Sequence, residues 1–130
     1  MADALANLRI LDFSRVLAGP FTTMMLADLG AEVIKVERPG PGDETRAWGP
    51  PWDGAGEATY YQAVNRNKRG VILDLASSTG LARARSLAAV TTVVWSTSDM
   101  PAAAAARTCC RTRTTSSPPL IGSSSITHDR

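Results

Sequence analysis

The feature that most constrains the fold is a strand–helix–strand pattern near the start of the chain. Residues 8–13 (LRILDF) are a short apolar run with one acid, typical of a buried parallel strand. A helix is predicted over residues 20–29, ended by Gly30, and residues 31–37 (AEVIKVE) are a second apolar strand. Two strands joined by a helix within ~30 residues form a right-handed βαβ unit. The sequence therefore predicts a parallel sheet with helices on its faces.

The same alternation continues to about residue 95. Residues 38–56 hold four Pro and five Gly, so we predict no regular element there but a long loop of the kind that is often functional. Four further elements are predicted: a short helix at 57–64, a strand at 71–75 after a basic turn at 65–70, a helix from Ser78 or Thr79 to about Ala89, and a strand at 91–95. The predicted fold class is thus α/β with an open parallel sheet.

The composition changes near residue 76. By count, residues 1–75 contain eight Lys or Arg and ten Asp or Glu, whereas residues 76–130 contain six Arg, two Asp and neither Lys nor Glu. A segment dominated by Ala, Ser and Thr has little apolar mass to offset the entropy of ordering it. We therefore predict a partial domain at 1–95 and a low-complexity, poorly ordered tail at 96–130. A reading-frame change in the gene between about residues 76 and 96 would produce such a tail, and sequencing the locus tests this hypothesis.

Composition also argues against several classes of function. Hydrophobic content is 44% and charged content 20%, and the chain has no run of the ~18 to 20 apolar residues that a membrane span needs. The N-terminus carries Asp3 and lacks a secretory signal pattern, so a cytoplasmic location is expected. Nucleic-acid binding is not expected, because no aromatic residue follows Trp95 among the scattered arginines. Cys109, Cys110 and His128 lack the spacing of a metal site, so no metal is expected.

Three segments have the composition and position of a ligand site in a parallel sheet. Residues 14–21 follow the first strand and open a helix, which suits an anionic group. Arg38 follows the second strand, and residues 65–69 carry three cations just before the third. Arginine pairs with phosphate and stacks on flat bases, although each cation taken alone is equally consistent with a solvated surface charge. The loops lack the GxGxxG and GxxxxGKS/T patterns of standard dinucleotide and P-loop sites.

Two long strings carry a family resemblance. RILDFSRVLAGPFTTMMLADLGAEVIKVERPGPGDETRAWGPP, followed by TYYQAVNRNKRGVILDL, resembles the N-terminus of class III CoA-transferases over roughly residues 7–75, fading through about 95. That family includes formyl-CoA, carnitine-type and succinyl-CoA:dicarboxylate CoA-transferases and the related α-methylacyl-CoA racemases. The resemblance implies a Rossmann-like CoA-binding domain in an interlocked homodimer. It also implies CoA, acyl-CoA and carboxylates as substrates, with no permanently bound cofactor.

The resemblance implies a set of CoA-binding positions in this sequence. Arg38 matches the family's arginine at the adenine end of CoA, and Leu73 matches an adenine-pocket position. The loop at residues 15–17 matches the one that approaches the thioester arm, and Lys68 is a candidate for phosphate. The complete implied set is Arg15, Val16, Leu17, Arg38, Lys68 and Leu73.

The resemblance also implies a mechanism whose nucleophile we do not find. The family's transferases use an aspartate that forms a mixed anhydride with the acyl group. No position before Arg130 matches that aspartate, so no catalytic residue is expected within this chain, and Asp12, Asp28, Asp43 and Asp74 are predicted to be structural. The alternatives to a transferase are a racemase, a non-catalytic CoA- or nucleotide-binding module, and a truncated product that binds nothing.

Overall fold

The computed structural model describes residues 4–96 of the 130-residue chain. The elements within them are β1 (Arg9–Asp12), α1 (Ala18–Asp28), β2 (Glu32–Glu37), a 3₁₀ helix (Glu44–Ala47), α2 (Thr59–Asn65), β3 (Lys68–Ile72), α3 (Ser78–Ala89) and β4 (Val93–Trp95). The expectations for the tail at 96–130, including those for Cys109, Cys110 and His128, fall almost wholly outside the described residues.

The four strands form one parallel sheet in the order β3-β2-β1-β4. Ile10 of β1 pairs with Val33 of β2 on one side and with Val93 of β4 on the other. The chain thus builds outward from β1 to β3 and then returns to the other flank of β1. This arrangement confirms the predicted α/β fold with an open parallel sheet. Within residues 4–96, no helix has the length and apolarity needed to cross a bilayer.

The core has two layers, one on each face of the sheet. Neighbouring residues of a strand point to opposite faces, so Ile10 and Leu11, both fully buried, each anchor one layer. Burying such a side chain contributes about 1.5 to 3 kcal/mol. The layer under α1 contains Ile10, Ala27, Ala31 and Val33, and the layer under α3 contains Leu11, Val36, Leu73 and Ala84.

Helix α1 packs on the sheet through small and polar residues. Its buried residues are Gly19, Pro20, Thr23, Met24 and Ala27. Of the apolar residues that the sequence places on one face of this helix, only Met24 is buried, whereas Phe21, Met25 and Leu29 are each about half exposed. The buried side of the helix includes Thr23, whose hydroxyl donates a hydrogen bond of 2.6 Å to the buried carboxylate of Asp12.

Strand β3 differs most from its predicted position. The apolar run suggested a strand at 71–75, but β3 begins three residues earlier, at Lys68, and ends just before Leu73. The cations are accommodated in a strand because an acid on β1 and an acid on the adjacent β2 pair with them. Lys68 lies 3.2 Å from Asp12, and Arg69 lies 3.1 Å from Glu32.

Two further differences concern helix caps. Ser77, rather than Ser78 or Thr79, caps α3, and its hydroxyl accepts a hydrogen bond of 3.0 Å from the N–H three residues on. The loop predicted at 38–56 contains the four-residue 3₁₀ helix, whose N-cap is Asp43. Side-chain caps of this kind satisfy backbone N–H groups that lack a partner in the first turn.

Candidate functional site

A cavity of about 300 Å³ opens where the chain leaves β1, β2 and β3. The carboxyl ends of parallel strands share one edge of the sheet, which is where open α/β sheets bind ligands. A second cavity, of about 410 Å³, adjoins it and shares the walls formed by Glu37, Arg38 and Gly42. The first cavity is lined by Phe13, Arg15, Val36, Glu37, Arg38, Gly42, Asp43, Leu73, Asp74, Leu75 and Ala76.

Three of the six residues implied by the resemblance line this first cavity together. Arg15 follows β1, Arg38 follows β2 and Leu73 follows β3, so three separate segments converge on one space. Leu73 is buried, and the Arg38 side chain is half exposed. Val16 and Leu17 belong to the same loop as Arg15 but are not part of the cavity wall.

Lys68 lies inside the protein and not on the cavity wall. Its Nζ donates hydrogen bonds to the carbonyl of Pro20 at 2.8 Å, to Asn65 Oδ1 at 3.0 Å and to Asp12 Oδ2 at 3.2 Å. Burial lowers the pKa of Lys68 to about 8, although the Asp12 carboxylate acts in the opposite direction. Lys68 therefore makes hydrogen bonds inside the protein in this structure, and its role in phosphate binding stays a prediction.

Buried polar groups fix the loop between β1 and α1. Asp12 accepts hydrogen bonds from the Ser14 N–H, at 2.8 Å, and from the Ser14 hydroxyl, while Lys35 Nζ donates to the Ser14 carbonyl at 2.9 Å. The backbone that leads into Arg15 is thereby held from both sides of Ser14. Val16 then adopts a φ of 69°, a left-handed conformation that a β-branched residue rarely takes. Such a conformation persists only where its surroundings impose it.

A buried ion pair joins β2 to the following loop. Lys35 Nζ lies 2.8 Å from Asp43 Oδ2, and the two side chains are 1% and 0% exposed. Asp43 also accepts hydrogen bonds from the N–H and the hydroxyl of Thr45. Burial would raise the pKa of Asp43, but the hydrogen bonds from Lys35 and Thr45 outweigh it and hold that pKa below its ordinary value. The sequence analysis did not single out Lys35.

A second charged cluster orients the backbone next to Arg38. The Arg46 guanidinium donates to both carboxylate oxygens of Glu37 at 2.8 Å and lies 3.8 Å from the centre of the Tyr61 ring. The Tyr61 hydroxyl also donates a hydrogen bond of 2.6 Å to Glu37. Burial would raise the pKa of Glu37, but hydrogen bonds from Arg46, Tyr61 and the Asp43 N–H lower it to about 2. Glu37 is therefore held ionised and fixed, one residue before Arg38.

The two arginines of the cavity share one carboxylate. Glu44 Oε1 lies 2.7 Å from Arg15 Nη1 and 4.0 Å from Arg38 Nη2. Arg38 also donates from Nε to the Gly42 carbonyl at 3.0 Å. Two guanidinium groups at one edge suit a phosphorylated ligand, because guanidinium pairs with phosphate. The sequence analysis missed Glu44, since its role depends on residues that are distant along the chain.

Several carboxylates around this edge make hydrogen bonds within the protein. The buried carboxylates of Asp12 and Asp43 are engaged in internal hydrogen bonds, and Asp74, on the cavity wall, accepts one from the Ala76 N–H at 3.0 Å. In the part of the chain that the structure describes, no group of three or more His, Cys, Asp or Glu side chains is placed to hold a metal ion. The cavity wall thus carries two arginines, three carboxylates and apolar surface, and two of those carboxylates, Asp43 and Glu37, are paired with Lys35 and Arg46.

The fold and the cavity define an α/β protein with an open parallel sheet and a cavity with two arginines at its carboxyl edge. The chain belongs to CoA-transferase family III, whose model matches residues 5–125. It is 57% identical over 89 residues to the human succinyl-CoA:glutarate CoA-transferase, a match that covers 68% of this chain and 20% of that protein. It is 50% identical over 95 residues to the succinate–glutarate CoA-transferase of Agrobacterium fabrum, covering 69% and 24% respectively.

A solved structure agrees with the family assignment. The chain superposes on a CAIB/BAIF family protein from Brucella suis with a TM-score of 0.68 at 43% identity, covering 72% of this chain and 25% of that one. The chain thus spans about a fifth to a quarter of the length of the relatives it matches. The resemblance found in the sequence is confirmed. The family match continues past residue 95, so the predicted domain boundary stays a prediction.

Proposed function

We propose that residues 1–95 form the CoA-binding part of a class III CoA-transferase and that residues 96–130 lie outside this unit. The observation that carries the proposal is the convergence of Arg15, Arg38 and Leu73 on one cavity at the carboxyl edge of the sheet. Leu73 supplies apolar surface for the adenine, and the Arg38 guanidinium suits both stacking on a base and pairing with phosphate. The loop at 15–17 then lies nearest the thioester arm.

The proposed activity of the whole enzyme is transfer of CoA from an acyl-CoA to a carboxylic acid. An aspartate attacks the thioester carbonyl, the C–S bond breaks and CoA leaves as the thiolate, which gives a mixed aspartyl anhydride. Because two relatives are named for succinate and glutarate, dicarboxylates and their CoA thioesters are the proposed substrates. No catalytic residue is proposed within this chain, and CoA acts as a substrate. A cytoplasmic location and an interlocked homodimer are proposed from the sequence and the family resemblance.

Calorimetric titration with CoA tests the binding site. Arg38→Ala should weaken binding by about tenfold or more, because a charge-assisted contact to phosphate is lost. Arg69→Ala is the matched control, since it removes the same charge from a side chain that is 78% exposed and pairs with Glu32 at the amino edge of the sheet. Its affinity for CoA should match that of the parent within about twofold. Equal losses in both variants, or no measurable affinity of the parent for CoA, would contradict the proposal.

A CoA-binding module without catalysis is the second candidate. It is favoured by the internal hydrogen bonds of Asp12 and Asp43, which leave these buried acids unsuited to attack a thioester. Incubation of the chain with succinyl-CoA and glutarate tests for catalysis by the chain itself: a module forms no glutaryl-CoA, and glutaryl-CoA formed by this chain would overturn the proposal that it holds no catalytic residue. Epimerisation of a 2-methylacyl-CoA would instead identify the racemase of the same family.

A further inference from the structure

Glu44 has an unusual position beside the two arginines of the cavity. Its Oε1 contacts Arg15 and approaches Arg38, yet Glu44 itself does not line the cavity that they share. Its Oε2 is buried and has no hydrogen-bond partner among the described residues. A buried carboxylate oxygen without a partner is energetically unfavourable. If another anion replaces Glu44 as the partner of these arginines, the carboxylate can move into contact with water and become hydrated.

We propose that Glu44 is an internal competitor for the phosphate groups of the ligand. Before ligand binds, Glu44 holds Arg15 and Arg38; when a phosphate reaches them, the carboxylate turns toward water. The Glu44 side chain is 38% exposed, so the path to solvent is short. Because the phosphate is taken to come from CoA, this role rests on the function proposed above and names a residue that sets the affinity of that site.

The chain contains a matched carboxylate at the other edge of the sheet. Glu32 also lies between two arginines, Arg9 and Arg69, and its side chain is 31% exposed. Glu32 lines neither of the two cavities described above. Neutralising Glu32 changes the net charge of the protein as much as neutralising Glu44 does. A difference between the two variants therefore reports competition at the cavity and not long-range charge.

The experiment measures binding of CoA and of inorganic pyrophosphate to the full chain and to its Glu44→Gln and Glu32→Gln variants. Glu44→Gln should bind CoA about three- to fivefold more tightly, the size expected when one partly exposed charge is removed. The gain should shrink at about 0.5 M salt, where screening is strong. Glu32→Gln should bind like the parent. Pantetheine has no phosphate, so Glu44→Gln should bind it no more tightly than the parent does. If Glu44→Gln still binds 3′-dephospho-CoA more tightly than the parent, the diphosphate is the group that contacts these arginines.

The outcomes separate the two proposals. If the parent binds CoA and Glu44→Gln binds it no more tightly, the competitor role is overturned and the CoA site remains. The role is also overturned if Glu32→Gln shows an equal gain. If the parent does not bind CoA, the proposed function fails, and pyrophosphate decides the role of Glu44. Pyrophosphate binding that is tighter in Glu44→Gln supports the role, and its absence overturns it. Glu44→Ala, with folding checked by circular dichroism, provides a second variant.

Discussion

At the amino edge of the sheet, Glu32 pairs with Arg9 and Arg69 in contact with water, whereas near the carboxyl edge Lys35 and Asp43 pair almost completely out of contact with it. Ion pairs of the first kind contribute about 0 to 1 kcal/mol, because water already solvates both charges. Pairs of the second kind hold a fixed geometry and are costly to break. Pairs of opposite charge therefore lie at the surface at one edge and fix the backbone around a cavity at the other.

Lys35→Met should give the largest effect. It leaves the Asp43 carboxylate buried without its cation, and the expected loss is about 3 to 5 kcal/mol in the free energy of unfolding. Glu32→Gln, at the amino edge, should lose less than about 1 kcal/mol. Urea unfolding followed by circular dichroism measures both. Similar losses in the two variants would remove the contrast between the edges.

Gly19→Ala should give the next largest effect. A Cβ at Gly19 would lie 2.2 Å from Ser14 Cβ, and Ser14 is fully buried in the loop that precedes α1. Overpacking of this kind costs about 1 to 3 kcal/mol. At Gly70 in β3, where a Cβ meets nothing within 4 Å, Ala should change stability by less than about 0.5 kcal/mol. Thermal unfolding compares the two, and equal melting temperatures would contradict the tight packing described for this loop.

The pH dependence of stability should give the smallest effect. The folded pKa of Glu37 is about 2, below its ordinary value of 4.5, so its stabilising contribution is complete above about pH 4.5 and is lost as pH falls toward 2. The difference in stability between the parent and Glu37→Gln should narrow over that interval by on the order of 1 to 2 kcal/mol.

Glu32→Gln serves as the control for this pH series. The hydrogen bond from Arg9 lowers the pKa of Glu32 as well, but solvent screens this contact. The difference in stability between the parent and Glu32→Gln should therefore narrow less as pH falls. Acid unfolding curves between pH 2 and pH 6 follow both variants. A Glu37→Gln difference that is constant over that range would show that the Glu37–Arg46 contact does not bias the ionisation of Glu37.

The first half of the sheet was predictable because its signals are local. Residues 8–13, 20–29 and 31–37 agree with β1, α1 and β2 to within two residues. An apolar run, a helix start and a glycine after the last turn each act over a few positions, and neighbouring residues suffice to detect them. The choice of Arg38 followed from the resemblance and from the rule that ligands lie at the carboxyl ends of strands, whereas the choice of Leu73 followed from the resemblance alone.

The contacts that sequence reasoning missed are those between distant residues. In the sequence, Lys68 belongs to a basic turn. In the structure it contacts Asp12, which lies 56 positions earlier in the chain. Glu44 is similarly 29 positions from Arg15. Periodicity within a window does not report such pairs, which arise only when the sheet has formed. Lys35, a charge between Ile34 and Val36, is a local sign of such a contact that the sequence analysis did not use, because a buried charge needs a partner.

The position of β1 at the centre of the sheet has a consequence for protein synthesis. Strand β2 pairs with one edge of β1. The other edge is paired only by β4, and Thr92, just before β4, contacts Arg9 from 83 positions later in the chain. At ribosomal rates of about 5 to 20 residues per second, this separation is a delay of roughly 4 to 17 seconds. During this time the nascent chain exposes an unpaired strand to chaperones or to other nascent chains.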